Sequence, residues 1–251
     1  MYHALSDGGP TDPGQDPHYT IPKEAFARHL DMAVAGGGAR SARDWLDQRS
    51  DAPFVLTFDD GHISNYALAY PELKRHGCNA DFFVNPEHVG RPEFASWVHL
   101  REMAEGGMSI QSHSYSHRYL TALTPHELRE ELTRSKSAIE QAVGQPVTLL
   151  APPGGRMPRK LGEIAREIGY RWILSSRPGQ IHAGARGPIL PRMAVTAQLD
   201  ETTLRSWLQG DATALTRARV RYAALAGLKG ILGDQRYERL RGRLLGRGAG
   251  V

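Results

Sequence analysis

Two groups of side chains in this sequence have the types and spacing to hold a metal ion. The first is Thr57-Phe58-Asp59-Asp60-Gly61, two adjacent carboxylates that follow the short apolar run of Pro53, Phe54, Val55 and Leu56. Successive strand residues point to opposite sides, so two neighbouring Asp can share one site only where the strand stops and the chain turns. Taken alone, the pentad also reads as a solvated turn. The second group is His113-Ser114-Tyr115-Ser116-His117, behind the short apolar run of Met108, Ser109 and Ile110. Two His at i and i+4 lie on one face of a helical turn, so both imidazoles can reach one cation. With a carboxylate they make a two-His-one-carboxylate set, which leaves positions open for water and substrate.

Such groups need a scaffold that brings strand ends together. Residues 53–56, 80–84, 108–110, 147–150 and 170–174 read as short strands. Pro22, Lys23 and Glu24 open a helix that runs through Phe26, Leu30 and Met32 and stops at Gly36, Gly37 and Gly38. Ser64 is a candidate N-cap for a helix carrying Tyr66, Leu68, Ala69 and Leu73, closing at His76 and Gly77, with Pro71 expected to kink or break it. Residues 97–104 and 158–168 read as shorter helices. The clearest helix is Pro125–Val143, with an apolar stripe of Leu128, Leu132, Ile139 and Val143. Thr124 is its expected N-cap, Pro125 fits N1, Glu127 completes a capping box, and Gly144 ends it. Residues 4–21, rich in Gly, Pro and Asp, read as a loop. Strands alternating with helices argue for a mostly parallel sheet with crossover helices.

With these motifs the chain resembles the polysaccharide deacetylases of the NodB homology type, carbohydrate esterase family 4. The pentad matches that family's first motif, and His113 to His117 match its second, a His, a Ser or Thr, two free positions and a His. The resemblance covers roughly residues 3–195, and Met1-Tyr2-His3 resembles the end of the family's first strand with its start missing. It implies an α/β fold, an irregular (β/α) barrel whose site gathers at the carboxyl ends of the strands. It also implies Asp59 as general base and Asp60, His113 and His117 as ligands of a divalent metal. Zinc suits those ligands best, while cobalt, nickel, manganese and iron fit the same set. The implied reaction is removal of acetyl from an N-acetylated sugar in a glycan or glycolipid.

The third and fifth motifs depart from the family. Where it shows Arg-x-Pro-Tyr-Gly, this chain has Ala151-Pro152-Pro153-Gly154-Gly155-Arg156. The Gly154 N–H can still serve an oxyanion, but Ala151 stands where an Arg would orient the base. Arg192, in Leu190-Pro191-Arg192-Met193, is the candidate to reach in from a late strand, and Arg156 is a weaker one. The fifth motif's strand ends in Leu-x-His, and the chain offers Pro188-Ile189-Leu190-Pro191-Arg192 instead. His3 and His182 are possible proton donors in its place. Tyr115, Tyr119, Trp97 and Trp172 are equally readable as sugar-stacking or core aromatics. His62 reads as a residue of the site's rim.

The rest of the chain bounds the answer. Its 251 residues, 40% apolar, suffice for a core of ordinary size, and a net charge of +4 is too small to imply nucleic acid. The single cysteine, Cys78, rules out an internal disulfide and reads as a small buried apolar residue. No apolar run approaches the ~18 residues of a membrane span, and no export signal precedes Met1, which favours a cytoplasmic protein, at most one at the inner membrane surface. Residues 1–210 read as the catalytic domain and 211–251 as a helical C-terminal extension. That extension carries nine Arg or Lys against three Asp or Glu, with a break expected near Gly230 to Gly233. It reads either as helices packed on the barrel with a solvated basic face or as a contact with an anionic membrane or phosphate-bearing lipid carrier. Two other functional classes stay open from sequence: a different amide hydrolase on the same scaffold, and a non-catalytic glycan-binding module.

Overall fold

The computed structural model describes residues 1–9, 15–49, 51–182 and 187–232, with side chains through residue 227. In chain order the elements are β1 (Ala4–Ser6), β2 (Thr20–Pro22), α1 (Lys23–Ala35), β3 (Ala39–Arg40), α2 (Ala42–Leu46), β4 (Phe54–Val55) and β5 (Thr57–Phe58). A π-helical stretch (Asn65–Ala69) leads into α3 (Tyr70–Arg75), followed by β6 (Asp81–Val84), α4 (Trp97–Glu105), β7 (Ser109–Ser112) and α5 (Pro125–Val143). Then come β8 (Leu149–Leu150), α6 (Leu161–Ile168), β9 (Trp172–Leu174), β10 (Ile189–Leu190), α7 (Glu201–Leu208) and α8 (Ala212–Leu232).

Six strands form a curled parallel sheet in the order β10-β9-β8-β7-β6-β5. Residues at the start of the chain lie along its β5 edge. The Tyr2 N–H donates to the Thr57 carbonyl at 2.8 Å, and the Asp59 N–H donates to the Tyr2 carbonyl at 2.9 Å. On the other side the Val195 N–H donates to the Met1 carbonyl at 3.0 Å. Met1 and Tyr2 thus sit between the first strand of the sheet and the stretch beyond its last, and the half-barrel takes its irregular (β/α) form.

The strand alternation sorts side chains as a period of two requires. Along β6, Phe82 and Val84 enter the main core, whereas Phe83 joins a smaller cluster with Ala42, Leu149, Ala151 and Leu174. The Phe58 ring stacks on Phe82 at 4.8 Å between centroids and on Tyr2 at 5.3 Å. Helix α5 forms as local signals dictate: Thr124 Oγ1 accepts from the Glu127 N–H, the Glu127 carboxylate accepts from the Thr124 N–H, and Gly144 closes it at φ +72°. Its buried face includes Leu128, Leu132 and Ile139, but also Glu131 and Ser135. Cys78 is buried, as its type suggests.

Several local readings change. The run at 53–56 is not one strand: Phe54 and Val55 pair with β3, and the main sheet begins at Thr57. Ser64 does not cap; its hydroxyl accepts from the Leu5 N–H at 2.9 Å and bonds His62 Nδ1 at 2.8 Å. Pro71 does disturb its helix as expected: it lies inside a helical run over residues 63–75, and the irregularity takes the form of the π stretch just before it. Helix α8 runs unbroken through Gly230 to Leu232. The calls on residues 233–251, including the far side of the expected break, lie outside the described residues. Among the described residues no helix is long and apolar enough to cross a membrane.

Candidate active site

Groups of the site come from the carboxyl ends of successive strands. Asp59 and Asp60 follow β5, Asn85 follows β6, His113 follows β7, Ala151 follows β8, Ser176 lies past β9 and Arg192 past β10. The two Asp share one cleft because the backbone turns left-handed at Asp60 (φ +75°) and Gly61 (φ +72°). A Cβ on Gly61 would lie 3.0 Å from Val84 Cγ1, so the turn needs glycine for space as well as φ.

Asp60, His113 and His117 converge. Asp60 Oδ1 lies 3.2 Å from Nε2 of each imidazole. Ligands bonded at ~2.0–2.1 Å to one tetrahedral ion are separated by roughly 3.3–3.4 Å, so this spacing fits a divalent cation. The tautomer fits as well. His113 Nδ1 donates to the Ala151 carbonyl at 2.6 Å, which leaves Nε2 as the atom facing Asp60. Burial would raise the Asp60 carboxyl, but the hydrogen bonds from His113 and His117 hold it well below the carboxylate range. Burial likewise lowers His113, yet the bond to Asp60 and the charge of Asp59 push it above its ordinary value. A proton on His113 and a cation between the three groups relieve the same convergence of acceptors. The His113 side chain is 3% exposed, while Asp60 and His117 are each 36% exposed, so the set opens on one side only.

The two His do not meet on a helical turn, as their spacing suggested. Residues 113–119 form a loop with Ser114 at φ +65° and His117 at φ +62°. Such angles cost non-glycine residues about 1–3 kcal/mol each and persist only where surroundings hold them. Here the holder is Glu131 of α5, whose Oε1 accepts from the Tyr115 N–H at 2.9 Å and from the Ser116 N–H and hydroxyl at 2.5 and 2.8 Å. The Asn85 amide donates to the His113 carbonyl, and Ser135 Oγ donates to the Ser114 carbonyl at 3.0 Å. None of these three residues was singled out from sequence; buried polar residues on the core stripe of an amphipathic helix were the available signal for Glu131 and Ser135.

Asp59 is held by Arg192 in a two-pronged pair: Nη1 donates to Oδ1 at 2.7 Å and Nη2 to Oδ2 at 2.8 Å. The same guanidinium donates to Thr57 Oγ1 at 3.3 Å and to the Ser175 carbonyl at 3.1 Å. Burial would raise the Asp59 carboxyl, but the Arg192 charge, His113 and the Arg192 hydrogen bonds keep it below its usual value. Ala151, at the third-motif position, is buried in the smaller cluster.

These groups open into a cleft of about 730 Å³ that is also lined by His3, Tyr19, His88, Phe94, Tyr119 and Gly154. Gly154 sits at φ +61°, and a Cβ there would lie 2.8 Å from the Tyr119 ring, so its backbone approaches the cleft closely. Arg156 stacks on Tyr119 at 4.2 Å instead of pairing with Asp59. His3 enters the cleft beside the two Asp, its ring 4.4 Å from Tyr19, with burial lowering its pKa against the pull of Asp60 and Asp59. His182 lines a separate cavity with Trp45 and Trp207. His62 lines the cleft as expected, though it is largely buried and its Nδ1 is bonded to Ser64.

The family pattern described as polysaccharide deacetylase matches residues 47–173, just over half of the chain. The chain belongs to the polysaccharide deacetylase family. It is 30% identical over 186 residues to YxkH of Bacillus subtilis, a protein named for polysaccharide deacetylation, covering 71% of this chain and 64% of that one. It is 26% identical over 133 residues to the peptidoglycan-N-acetylglucosamine deacetylase of Bacillus cereus, covering 53% and 60%. The chain therefore spans less than two thirds of the length of these curated relatives. Among solved structures, the deacetylase PplD of Streptococcus pyogenes superposes with a TM-score of 0.72 at 23% identity, over 83% of this chain and 95% of that one. IcaB of Ammonifex degensii gives 0.68 at 26%, over 83% and 94%. This polysaccharide deacetylase fold carries a different aromatic set from the one its sequence offered. Of the four aromatics that the sequence left open between stacking and core, only Tyr119 lines the cleft. Trp172 opens β9 at its amino end, away from the site, Trp97 packs on the core, and Tyr115 lies under Arg134 at 4.0 Å.

Proposed function

We propose that this chain is a metal-dependent hydrolase that removes the acetyl group from an N-acetylated sugar in a glycan or lipid-linked glycan, with residues 1–210 carrying the chemistry. The observation that carries the reading is the buried Arg192–Asp59 pair set beside the Asp60, His113 and His117 ligand set at the mouth of one cleft. A divalent metal on that set, zinc by preference of two imidazoles and a carboxylate, supplies a Lewis acid that activates water and polarises the acetyl carbonyl.

The chain's own residues do the rest. Asp59 takes the proton of the attacking water, since its carboxylate is kept ionised and fixed in orientation by Arg192. Arg192 is a positioning residue: it fills, from the end of β10, the part an Arg at position 151 would take. The Gly154 N–H stabilises the oxyanion that develops as the carbonyl becomes tetrahedral. His3, poised beside both Asp, relays to the leaving amine the proton that Asp59 took from the water, so both side chains end the turnover as they began it. The names of relatives that act on peptidoglycan N-acetylglucosamine support an N-acetylhexosamine glycan as substrate. On the outer face of α8, Arg217, Val220 and Arg221 are exposed one turn apart, which supports peripheral contact with an anionic membrane, testable by sedimentation with anionic and neutral vesicles.

The test is acetate release from N-acetylhexosamine oligomers by chelator-treated protein, with zinc, cobalt, nickel, manganese or iron restored. Metal-dependent release is the expected result. Release that survives thorough chelation, or none with any oligomer and metal, overturns the assignment.

A further inference from the structure

Helix α8 does something that neither a solvated extension nor the hydrolytic machinery requires: it lines the catalytic cleft. The helical period sorts its residues into two faces. Leu215, Ala218 and Tyr222 lie on the face turned to the protein, Leu215 being fully buried and the other two half-buried. The same stripe continues one turn on to Leu225 and Ala226, and Tyr222, Leu225 and Ala226 all line the cleft with Asp59, Asp60 and His117. Leu225 is nevertheless 42% exposed, so this apolar side chain presents open surface toward the site. The root of the helix is held in place by the buried Leu215 and by Arg219, whose Nε donates to the Pro178 carbonyl at 3.4 Å.

We infer that α8 is a wall of the substrate site, in which Tyr222 and Leu225 bind the sugar unit next to the one that loses its acetyl group. The inference rests on the glycan reading of the site. Three observations favour a neighbouring sugar. The wall is continuous with the catalytic groups, and the cleft of about 730 Å³ has the size of sites that enclose ligands bulkier than one sugar ring. The wall also presents an aromatic ring beside aliphatic groups, the surface that packs on the C–H face of a pyranose while polar residues read its hydroxyls. Tyr222 and Leu225 are then specificity-determining side chains, selecting oligomers over single sugars.

The experiment uses the full chain and its Tyr222→Ala, Leu225→Ser and Tyr222→Phe variants, each checked by thermal melting. Specificity constants for acetate release are measured with the β-1,4-linked N-acetylglucosamine tetramer and with N-acetylglucosamine. The expected result is a tetramer-to-monomer ratio that falls roughly three- to tenfold in Tyr222→Ala, carried by KM, and is restored in Tyr222→Phe. An unchanged ratio, an equal loss on both sugars, or a wild-type chain that does not prefer the tetramer overturns the inference. If the wild-type chain releases no acetate, the deacetylase reading fails, and calorimetric binding of the tetramer decides the wall. Weakening of threefold or more in Tyr222→Ala upholds it, and equal binding or no binding overturns it.

Discussion

Replacing Arg192 by Met is the sharpest test of how the site is held. The guanidinium and the Asp59 carboxylate are 3% and 5% exposed and meet through two hydrogen bonds of 2.7 and 2.8 Å. Met keeps much of the apolar bulk over Phe83, whose ring lies 5.3 Å from the guanidinium, but removes the only cation bonded to Asp59 among the described residues. Breaking one side of a buried pair leaves an uncompensated charge and costs about 3–5 kcal/mol. For a domain of this size that corresponds to a fall in melting temperature of roughly 6–20 °C. Thr57 Oγ1 and the Ser175 carbonyl lose a donor in the same step, which adds to the cost. Acetate release should drop about 10²–10⁴-fold, as for loss of the base itself. Arg192→Lys keeps the charge without the fork and should fall between. The decisive assay is the double-mutant cycle in urea. Adding Asp59→Asn to Arg192→Met removes the stranded charge and should return part of the lost stability. Additive losses, or an Arg192→Met protein that melts with the wild type, would refute the reasoning.

Three further outcomes follow from the same geometry. Asp59→Asn should retain one zinc per chain by elemental analysis and release acetate about 10²–10⁴-fold more slowly, whereas Asp60→Asn should fail to retain zinc while melting near the wild type. Glu131→Gln keeps the shape of the residue that holds the 113–119 loop but weakens three bonds to it, so zinc affinity, measured by chelator competition, should fall about 10–100-fold. Asp81 is buried, and that burial raises its pKa from 3.8 to about 6 against the backbone N–H groups of Ala42 and Arg43. A carboxyl whose folded pKa is raised favours folding fully below pH 3.8, and that contribution disappears as pH climbs through about 6. The expected loss is about 3 kcal/mol. Urea midpoints taken from pH 4 to 7 should therefore show a decline that Asp81→Asn flattens; parallel curves for the two proteins would contradict it.

What could be read from sequence was local. The α5 capping box and its glycine stop are settled within a few residues of each end, and the structure reproduces both. The Asp pair at a strand end and the His pair stood out through residue type, short-range spacing and motif match. Readings failed where the deciding partner lies far along the chain. The His pair sits on a loop because Glu131 and Asn85 hold its backbone from other elements. Ser64 looks like a cap until β1 arrives to occupy its hydroxyl. Trp172 has the chemistry for a sugar platform but stands at the wrong end of its strand. Tyr222, in a helix that read as an appendage, lines the cleft only through tertiary packing.

The Arg192–Asp59 pair has a wider meaning. Because every strand of a curled parallel sheet delivers its last residue to one small region, a guanidinium can be donated from β8 or from β10 and arrive at the same carboxylate. The vacancy at 151 has closed over: Ala151 is packed against Phe83, Leu149 and Leu174. Introducing a long cation there would collide with that packing and compete for an anion already claimed. An Arg at position 151 and Arg192 are therefore alternatives for one carboxylate, and moving the donor from one site to the other requires changing both positions together.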